Sequence, residues 1–418
     1  MKLRFGFGTG FQEVEVPEQN LIGELHANEV PVGLTGEAEV RRALENPIGS
    51  PRLKDIVHAG ETVAIVTSDV TRPMPTKLVM PALLDELYAG GVRKEDITLV
   101  FALGSHRHQT DEERQRLAGE RAWNEIKCVD SDPDNCIGYG TTSRGTPVDI
   151  TRVVAQADRR ICLGNIEYHY FAGYSGGAKA IMPGASTRAA IQANHSRMIL
   201  PEAKAGALED NPVRLDIEEA GAMVGIDFIV NVVLSEHKEI LKAVAGDVTK
   251  AHREGCRFLD TLYRKELSAP ADIVLVSQGG APKDLNLYQT QKALDNAKHA
   301  VKDGGVIILI GSCREGLGER TFEQWMTSAP TAHSLIERIG REFRLGGHKA
   351  AAIAMVLEKA EVDLVSELDD DFVRSIFLTP QPSAQAALDH AFEKLGRDAT
   401  VLAMPYGGST LPTVRKKV

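Results

Sequence analysis

The sequence has little of several things, and each shortage closes a class of function. Its five cysteines (Cys128, Cys136, Cys162, Cys256 and Cys313) are odd in number, scattered and without a CxxC pair. That speaks against a disulfide framework or a structural zinc site. No HExxH or HxxxH spacing occurs, so a metal held by several histidines of one helix is not written here. The Gly-Lys-Ser/Thr succession of a phosphate-binding loop is missing as well. Acidic residues outnumber basic ones, 58 to 48, for a net charge of -10. No global basic field therefore invites nucleic acid or an anionic membrane. No run of 18 apolar residues occurs, and the start, MKLRFGFGTG, lacks the apolar stretch of a signal peptide. A cytoplasmic protein is expected, with neither nucleic acid nor membrane as partner.

What is present is an ordinary globular composition, 43% hydrophobic and 25% charged, over 418 residues. That length suits two or three domains. Strand-length apolar runs alternate with helix-length amphipathic stretches, the pattern of a parallel α/β fold. "ETVAIVTSD" (61–69), "ITLVFALG" (97–104), "RRICLGN" (159–165) and "IDFIVNVVLS" (226–235) read as strands. "PTKLVMPALLDELYAGGV" (75–92) reads as a helix with Leu78, Ala82, Leu83 and Leu87 on its apolar side. A second series restarts near Pro270, with strands at 271–280 and 304–312 around a helix at 288–301. We therefore expect an N-terminal α/β domain over 1–268 and a C-terminal one over 269–418, each a mostly parallel sheet flanked by helices. The active site is expected in the interdomain cleft. The basic end, "LPTVRKKV", is expected on the surface, with the last ~15 residues packing back on the first domain.

Ligands in such sheets sit beyond the carboxyl ends of strands, and three of four polar clusters follow strand runs directly. "SDVTRPMP" (68–75) places Asp69 and Arg72 three apart. The pair reads either as a helix cap with a surface arginine or as a clamp for a carboxylate or phosphate. "GSHRHQT" (104–110) carries two histidines on one loop, which packing does not explain. "YHYFAGYSGGAK" (168–179) runs on to "NHSRM", setting His169, Lys179 and His195 in a row. Its glycines, among them Gly173, Gly176 and Gly177, permit a tight turn or an array of N–H groups facing a phosphate. "QGGAPKDLNLYQTQKAL" (278–294) puts Gln289 and Lys292 one helical turn apart, on a solvated face or facing a substrate. "GFGTG" (6–10) comes too early to follow a full strand, and "GSCREGLGE" (311–319) reads as a loop at a cleft.

Together these segments resemble the nickel-pincer lactate racemase family, whose members racemise or epimerise 2-hydroxy acids. The match runs from about residue 60 to 320 and rests on Asp69, Arg72, His106, His169, Lys179, His195, Gln289 and Lys292 in order. The resemblance implies a nickel-pincer nucleotide, a pyridinium-3-thioamide-5-thiocarboxylic acid mononucleotide, joined covalently to Lys179, with His195 as the protein's nickel ligand. It implies His106 and His169 as the acid/base pair, and Asp69, Thr71, Gly176 and Gly177 beside the cofactor. Arg72, Tyr288, Gln289 and Lys292 would meet the 2-hydroxy acid, and cofactor-maturation enzymes would be partners. One departure stands out: His108 and Gln109 occupy places where the family often has proline and threonine. That bears on the shape of the substrate pocket and leaves His108 as a rival to His106.

The chemistry suits the inventory. The hydrogen on the carbinol carbon is barely acidic, so its transfer as hydride, with loss of the hydroxyl proton, avoids a dianion and passes through a neutral ketone. A base is then needed on each side of the substrate, and histidine titrates in the right range. Two other enzyme readings use the same residues: a hydrolase with its metal on the histidines, and a Schiff-base aldolase or lyase built on Lys179. A non-enzymatic nucleotide carrier would leave the strand-end histidines idle.

Overall fold

The chain opens with a hairpin, β1 (Lys2–Phe7) and β2 (Gly10–Glu15). A full strand thus precedes the turn of "GFGTG", contrary to the sequence reading. The next strand, β3 (Leu21–Glu24), pairs with a strand near the far end of the chain. In this computed structural model residues 1–235 and 237–415 are described. Two compact units result: Val30–Thr261, and Met1–Glu29 with Leu262–Val418. The sequence reading kept residues 1–29 with the N-terminal domain. They join the other unit because β3 completes its sheet and Leu3, Phe5, Val14 and Val16 enter its core.

The unit Val30–Thr261 is built on β4 (Val63–Ser68), α1 (Thr76–Ala89), β5 (Ile97–Ala102), β6 (Lys127–Asp130) and β7 (Arg159–Asn165). After them come α2 (Arg188–His195), α3 (Pro212–Val224), β8 (Phe228–Leu234), β9 (Ile240–Gly246) and α4 (Lys250–Tyr263). The sheet order is β9-β8-β7-β4-β5-β6, all parallel except the edge strand β9. Val63 to Thr67 are buried on both faces of the sheet, which is why that strand reads as unbroken apolar sequence. Helix α1 buries Val79, Met80, Ala82, Leu83, Leu84 and Leu87, so of the expected apolar positions Ala82, Leu83 and Leu87 are buried and only Leu78 is exposed. The chain runs outward through β4, β5 and β6, then returns to place β7 on the other side of β4. That reversal puts a topological switch point between β4 and β7, where the carboxyl ends of neighbouring strands open a crevice.

The second unit continues with β10 (Arg264–Leu267), β11 (Ala271–Ser277), α5 (Leu287–Ala297), β12 (Val301–Ile310) and β13 (Glu361–Val365). It ends with β14 (Thr379–Gln381), α6 (Ala384–Leu395), β15 (Val401–Met404) and β16 (Leu411–Val414). Its parallel sheet has the order β14-β13-β12-β11-β15-β3. Ile273, Leu275, Val306 and Ile308 meet Ala387 and Leu388 of α6 in its core. The C-terminal strand β16 pairs with β10, and Leu411 is buried there rather than lying on the surface. The last basic residues of the tail, 416–418, lie outside the described residues. Both units are thus mostly parallel sheets flanked by helices. Among the described residues no helix is long and apolar enough to cross a membrane.

Candidate active site

The polar segments of the unit Val30–Thr261 gather at the carboxyl ends of β4, β5 and β7. Asp69 directly follows β4 and is almost fully buried. Its Oδ2 lies 2.7 Å from Nδ1 of His106, and its Oδ1 accepts from Thr71 Oγ1 at 2.6 Å and from Thr71 N at 3.2 Å. Burial would raise this carboxyl, but the hydrogen bonds from His106 and Thr71 and the charges of His106 and Arg72 more than offset it and hold it below the usual aspartate range. An ionised Asp69 accepts from His106 Nδ1–H, which fixes the tautomer and leaves Nε2 as the ring's basic atom. Asp69 therefore acts on His106 while holding Thr71 through its other oxygen.

The two residues that depart from the family's usual wording have different fates. Gln109 is buried: its Oε1 accepts from Val70 N at 2.8 Å, while its N and Nε2 donate to Asp130 at 2.8 and 3.0 Å. It ties the loops after β4 and β5 to the end of β6. His108 is 72% exposed at its side chain and lies 3.4 Å from Asp130. Both histidines thus face a carboxylate; the His106 side chain is 21% exposed and closer to its own, at 2.7 Å.

After β7 the chain makes a small hairpin in which Tyr168–His169 pairs with Gly173–Tyr174. His169 Nδ1 accepts from Ala172 N at 3.2 Å, so the neutral ring carries its proton on Nε2. Its ring stacks on Tyr170 at 5.4 Å and meets the edge of Phe171 at 4.5 Å. Burial, and then the charges of Lys179, His195, Arg72 and Arg214, hold His169 well below the usual histidine range. The two rings are thus held differently, His106 Nδ1 against a carboxylate and His169 Nδ1 against a backbone N–H.

Part of the glycine-rich turn is engaged within the protein. Gly177 N–H donates to Asn231 Oδ1 at 2.7 Å, so it is spent inside the protein. Gly173 has φ of +76°, and a Cβ there would sit 1.8 Å from Ala207 O. Only glycine allows that approach. Lys179 follows on a short turn, half-buried, and its side chain makes no hydrogen bond or ion pair among the described residues. Burial, then Arg214 and Arg72, keep its amine well below the usual lysine range, against a weaker pull from Glu167. Arg72, on the loop after β4, is exposed and likewise has no acidic partner among the described residues.

His195 ends α2, buried to 8% exposure, with the ring of Phe171 at 4.9 Å. Its Nδ1 lies 2.7 Å from Asn194 Oδ1, and Asn194 Nδ2 donates to the fully buried Asp216 at 2.7 Å. Asp216 also accepts from Thr142 and Thr146 at 2.6 Å each. This chain holds the imidazole as an outer carboxylate holds a metal-bound histidine. Asn194, Asp216, Asn231 and Arg214 were not singled out from the sequence. The legible hint was the pair of charges, Arg214 and Asp216, set among the buried apolar positions Val213, Ile217 and Ala220 of α3.

In the other unit, Tyr288, Gln289 and Lys292 stand on the first turns of α5, which is capped by Asn286. Gln289 and Lys292 are exposed; Tyr288 packs against Phe322 and carries the Lys349 ammonium over its ring. "GSCREGLGE" is bound to the loop before this helix, with Ser312 N and Cys313 N both donating to Asp284.

Comparison with known proteins fits this arrangement. The family model described as the lactate racemase N-terminal domain matches residues 7–206, and the one for the lactate racemase C-terminal domain matches 267–411. The chain belongs to the lactate racemase family. A lactate racemase from Thermoanaerobacterium thermosaccharolyticum is 33% identical, covering 98% of each chain. One from Lactiplantibacillus plantarum is 32% identical over 94% of this chain and 95% of its own. The solved apoprotein of the T. thermosaccharolyticum lactate racemase superposes with a TM-score of 0.90 at 32% identity, covering both chains fully. A Thermotoga maritima protein shares the fold, with a TM-score of 0.63 at 20% identity over 92% of this chain and all of its own. As a member of the lactate racemase family, the chain is an enzyme of racemase type.

Proposed function

We propose that this racemase interconverts the enantiomers or epimers of a 2-hydroxy acid in the cytoplasm. Lactate is the first candidate, because the curated relatives are lactate racemases. The observation that carries the reading is the gathering of Asp69–His106, His169, Lys179 and His195 beside an uncommitted Arg72.

The residues fit a tethered nickel-pincer nucleotide. Lys179 offers an amine without an acidic partner, and His195 offers one buried imidazole oriented through Nδ1. Among the described residues the grouping able to hold a metal unaided, Glu361, Asp363 and His390, lies in the other unit, with Glu361 already paired to Lys394. A metal at His195 would therefore bring most of its donors with it, and imidazole suits nickel. When bound, such a cofactor supplies the acceptor and donor of hydride that proteins lack. Lys179 would tether it, with Thr71 beside it and Gly176 and Gly177 contributing backbone shape rather than N–H donors. Cofactor-maturation enzymes would be the partners that load it.

The chain's own part is proton and anion handling. Arg72 would pair with the substrate carboxylate, and Gln289 and Lys292, with Tyr288, would complete its recognition. His106 Nε2 would take the hydroxyl proton of one enantiomer, Asp69 holding the ring. His169 would protonate the oxygen from the other side, the roles exchanging in the reverse direction. A low-lying Lys179 amine by itself would equally suit a Schiff base, but the family is one of racemases and that reading leaves His195 without a task.

The test is intact mass and metal content of protein co-expressed with the maturation enzymes. An adduct on Lys179 with bound nickel is expected, as is loss of interconversion in both His106→Ala and His169→Ala. Activity untouched by Lys179→Ala, with no adduct, would refute the assignment.

A further inference from the structure

Residues 171–176 bend through three aromatic and glycine turns, yet every carbonyl among them is held. Phe171 O accepts from Asn211 Nδ2 at 2.9 Å, Gly173 O from Gly206 N at 3.0 Å and Ser175 O from His252 Nε2 at 2.8 Å. The remaining three all accept from one side chain, Ala172 O and Gly176 O also accepting from Tyr174 N at 2.9 Å and Lys179 N at 3.3 Å. Arg214 donates from Nε to Ala172 O at 3.2 Å, from Nη1 to Gly176 O at 3.4 Å, and from Nη2 to Tyr174 O. Arg214 is completely buried in the first turn of α3, where Asn211 caps the helix through Val213 N and Arg214 N.

This arginine has no carboxylate within ion-pair distance among the described residues; nearby Glu218 is committed to Arg253 at 2.8 Å. Burying a guanidinium compensated only by carbonyl dipoles costs several kcal/mol. An apolar side chain of similar volume would avoid that cost, and a lysine could not span three carbonyls with a planar fork. The position therefore needs both the fork and the charge, and both act on one neighbour. The loop leads straight into Lys179, whose N donates to the same Gly176 O at 3.3 Å.

We propose that Arg214 is the positioning residue for Lys179: it fixes the loop that carries the lysine and keeps an unpaired positive charge beside it, so that the amine is presented for covalent acylation. The inference rests on the reading of Lys179 as the attachment point. Attachment of that kind forms a bond from Nζ to an activated carboxyl or thiocarboxyl carbon. It breaks that carbon's bond to its leaving group and releases one amine proton to solvent, so it begins from the neutral amine. Among the described residues the charges of Arg214, Arg72 and the acid Glu167 act on Lys179, which in turn acts on His169 and His252.

The test uses the full-length apoprotein and a small acylating reagent, sulfosuccinimidyl acetate, with the rate at each lysine read by peptide mass spectrometry against pH. Exposed Lys77 and Lys283 serve as internal standards. Lys179 should reach its plateau at lower pH than the standards. Arg214→Met should cut the rate at Lys179 at pH 7 by about tenfold or more, moving its profile towards theirs. Arg214→Lys should leave the profile low but speed amide hydrogen exchange over 172–177, because the charge remains while the fork is lost. A residue that merely filled space would shift neither profile. If Lys179 titrates with the surface lysines in the wild type, or if Arg214→Met leaves profile and exchange unchanged, the proposal is wrong. Should Arg214→Met fail to fold, the wild-type profile and the Arg214→Lys exchange decide the matter. Failure of cofactor loading in the co-expressed protein would overturn the attachment reading while leaving this apoprotein result standing.

Discussion

The pairing of Asp69 with His106 makes Asp69→Asn an informative perturbation. The carboxylate accepts from Thr71 on one oxygen and from His106 Nδ1 on the other. An asparagine can keep Thr71 by turning its Oδ1 that way, and its amide then points at Nδ1. His106 would have to accept there, which moves its proton to Nε2 and removes the lone pair that takes the substrate's proton. Loss of a general base and its orienting carboxylate is worth on the order of 10²- to 10⁴-fold in rate, or about 3–5 kcal/mol of barrier. The fold should lose less, about 1.5–3 kcal/mol, for one charge-assisted hydrogen bond. The assay is interconversion of single enantiomers by cofactor-loaded enzyme, followed by chiral chromatography, with the Lys179 adduct quantified in the same preparation. Loading should match the wild type, since Asp69 touches His106 and Thr71 rather than Lys179. A variant that loads poorly yet turns over normally per loaded site would show that Asp69 serves the cofactor, and the dyad argument would fall.

Other predictions follow from the same contacts. Asn194→Ala should weaken nickel retention by about 10- to 100-fold, measured by metal analysis after dialysis, because His195 Nδ1 loses its support. Lys179→Met should raise the Tm of the apoprotein at pH 7. The folded state keeps the amine well below its usual range, so holding the protonated lysine costs more in the folded chain than in the unfolded one and the wild type is penalised; the difference should fade as pH rises towards 10.4. The lowered carboxyl of Asp69 works in the opposite direction: its stabilisation is present above about pH 3.9 and is lost as pH falls below that towards the folded value. Denaturant midpoints of wild type and Asp69→Asn should therefore converge in acid. Gly173→Ala should destabilise by on the order of 3 kcal/mol or more, combining positive φ with overlap on Ala207 O. Gly225→Ala shares the positive φ but has nothing within 4 Å, so only the backbone term, about 1 kcal/mol, should appear in its denaturant midpoint.

The alternation of apolar runs was enough to read four strands of one sheet and two of the other, because parallel strands buried on two faces need no phase information to be seen. Phase is what misled for α1. Leu78 sits at a helical spacing from Ala82, but the buried side begins at Val79 and Met80 and runs on through Ala82, Leu83 and Leu87. Residues 1–29 were assigned to the wrong neighbours for a related reason. The β3–β15 pairing links segments almost 400 residues apart, and nothing local in "LIGE" announces a partner at Val401.

At the site, the residues with chemistry were legible and the residues that hold them were not. Histidines and a lysine at strand ends stand out because packing gives them no reason to be there. Arg214, Asn231, His252 and Asn194 look like ordinary polar positions in helices and a strand, and only the fold turns them on one loop and one imidazole. The glycine-rich stretch shows the consequence. Read alone, "FAGYSGGAK" offers free backbone N–H groups and suggests a phosphate seat. In the folded chain Gly177 N–H belongs to Asn231 and the carbonyls from Phe171 to Gly176 are all taken. With these carbonyls and the Gly177 N–H committed inside the protein, the side chains of the loop are the prominent groups left for ligands. Lys179, Arg72 and His169 are then the groups to mutate in search of binding, and the glycines those to mutate in search of stability.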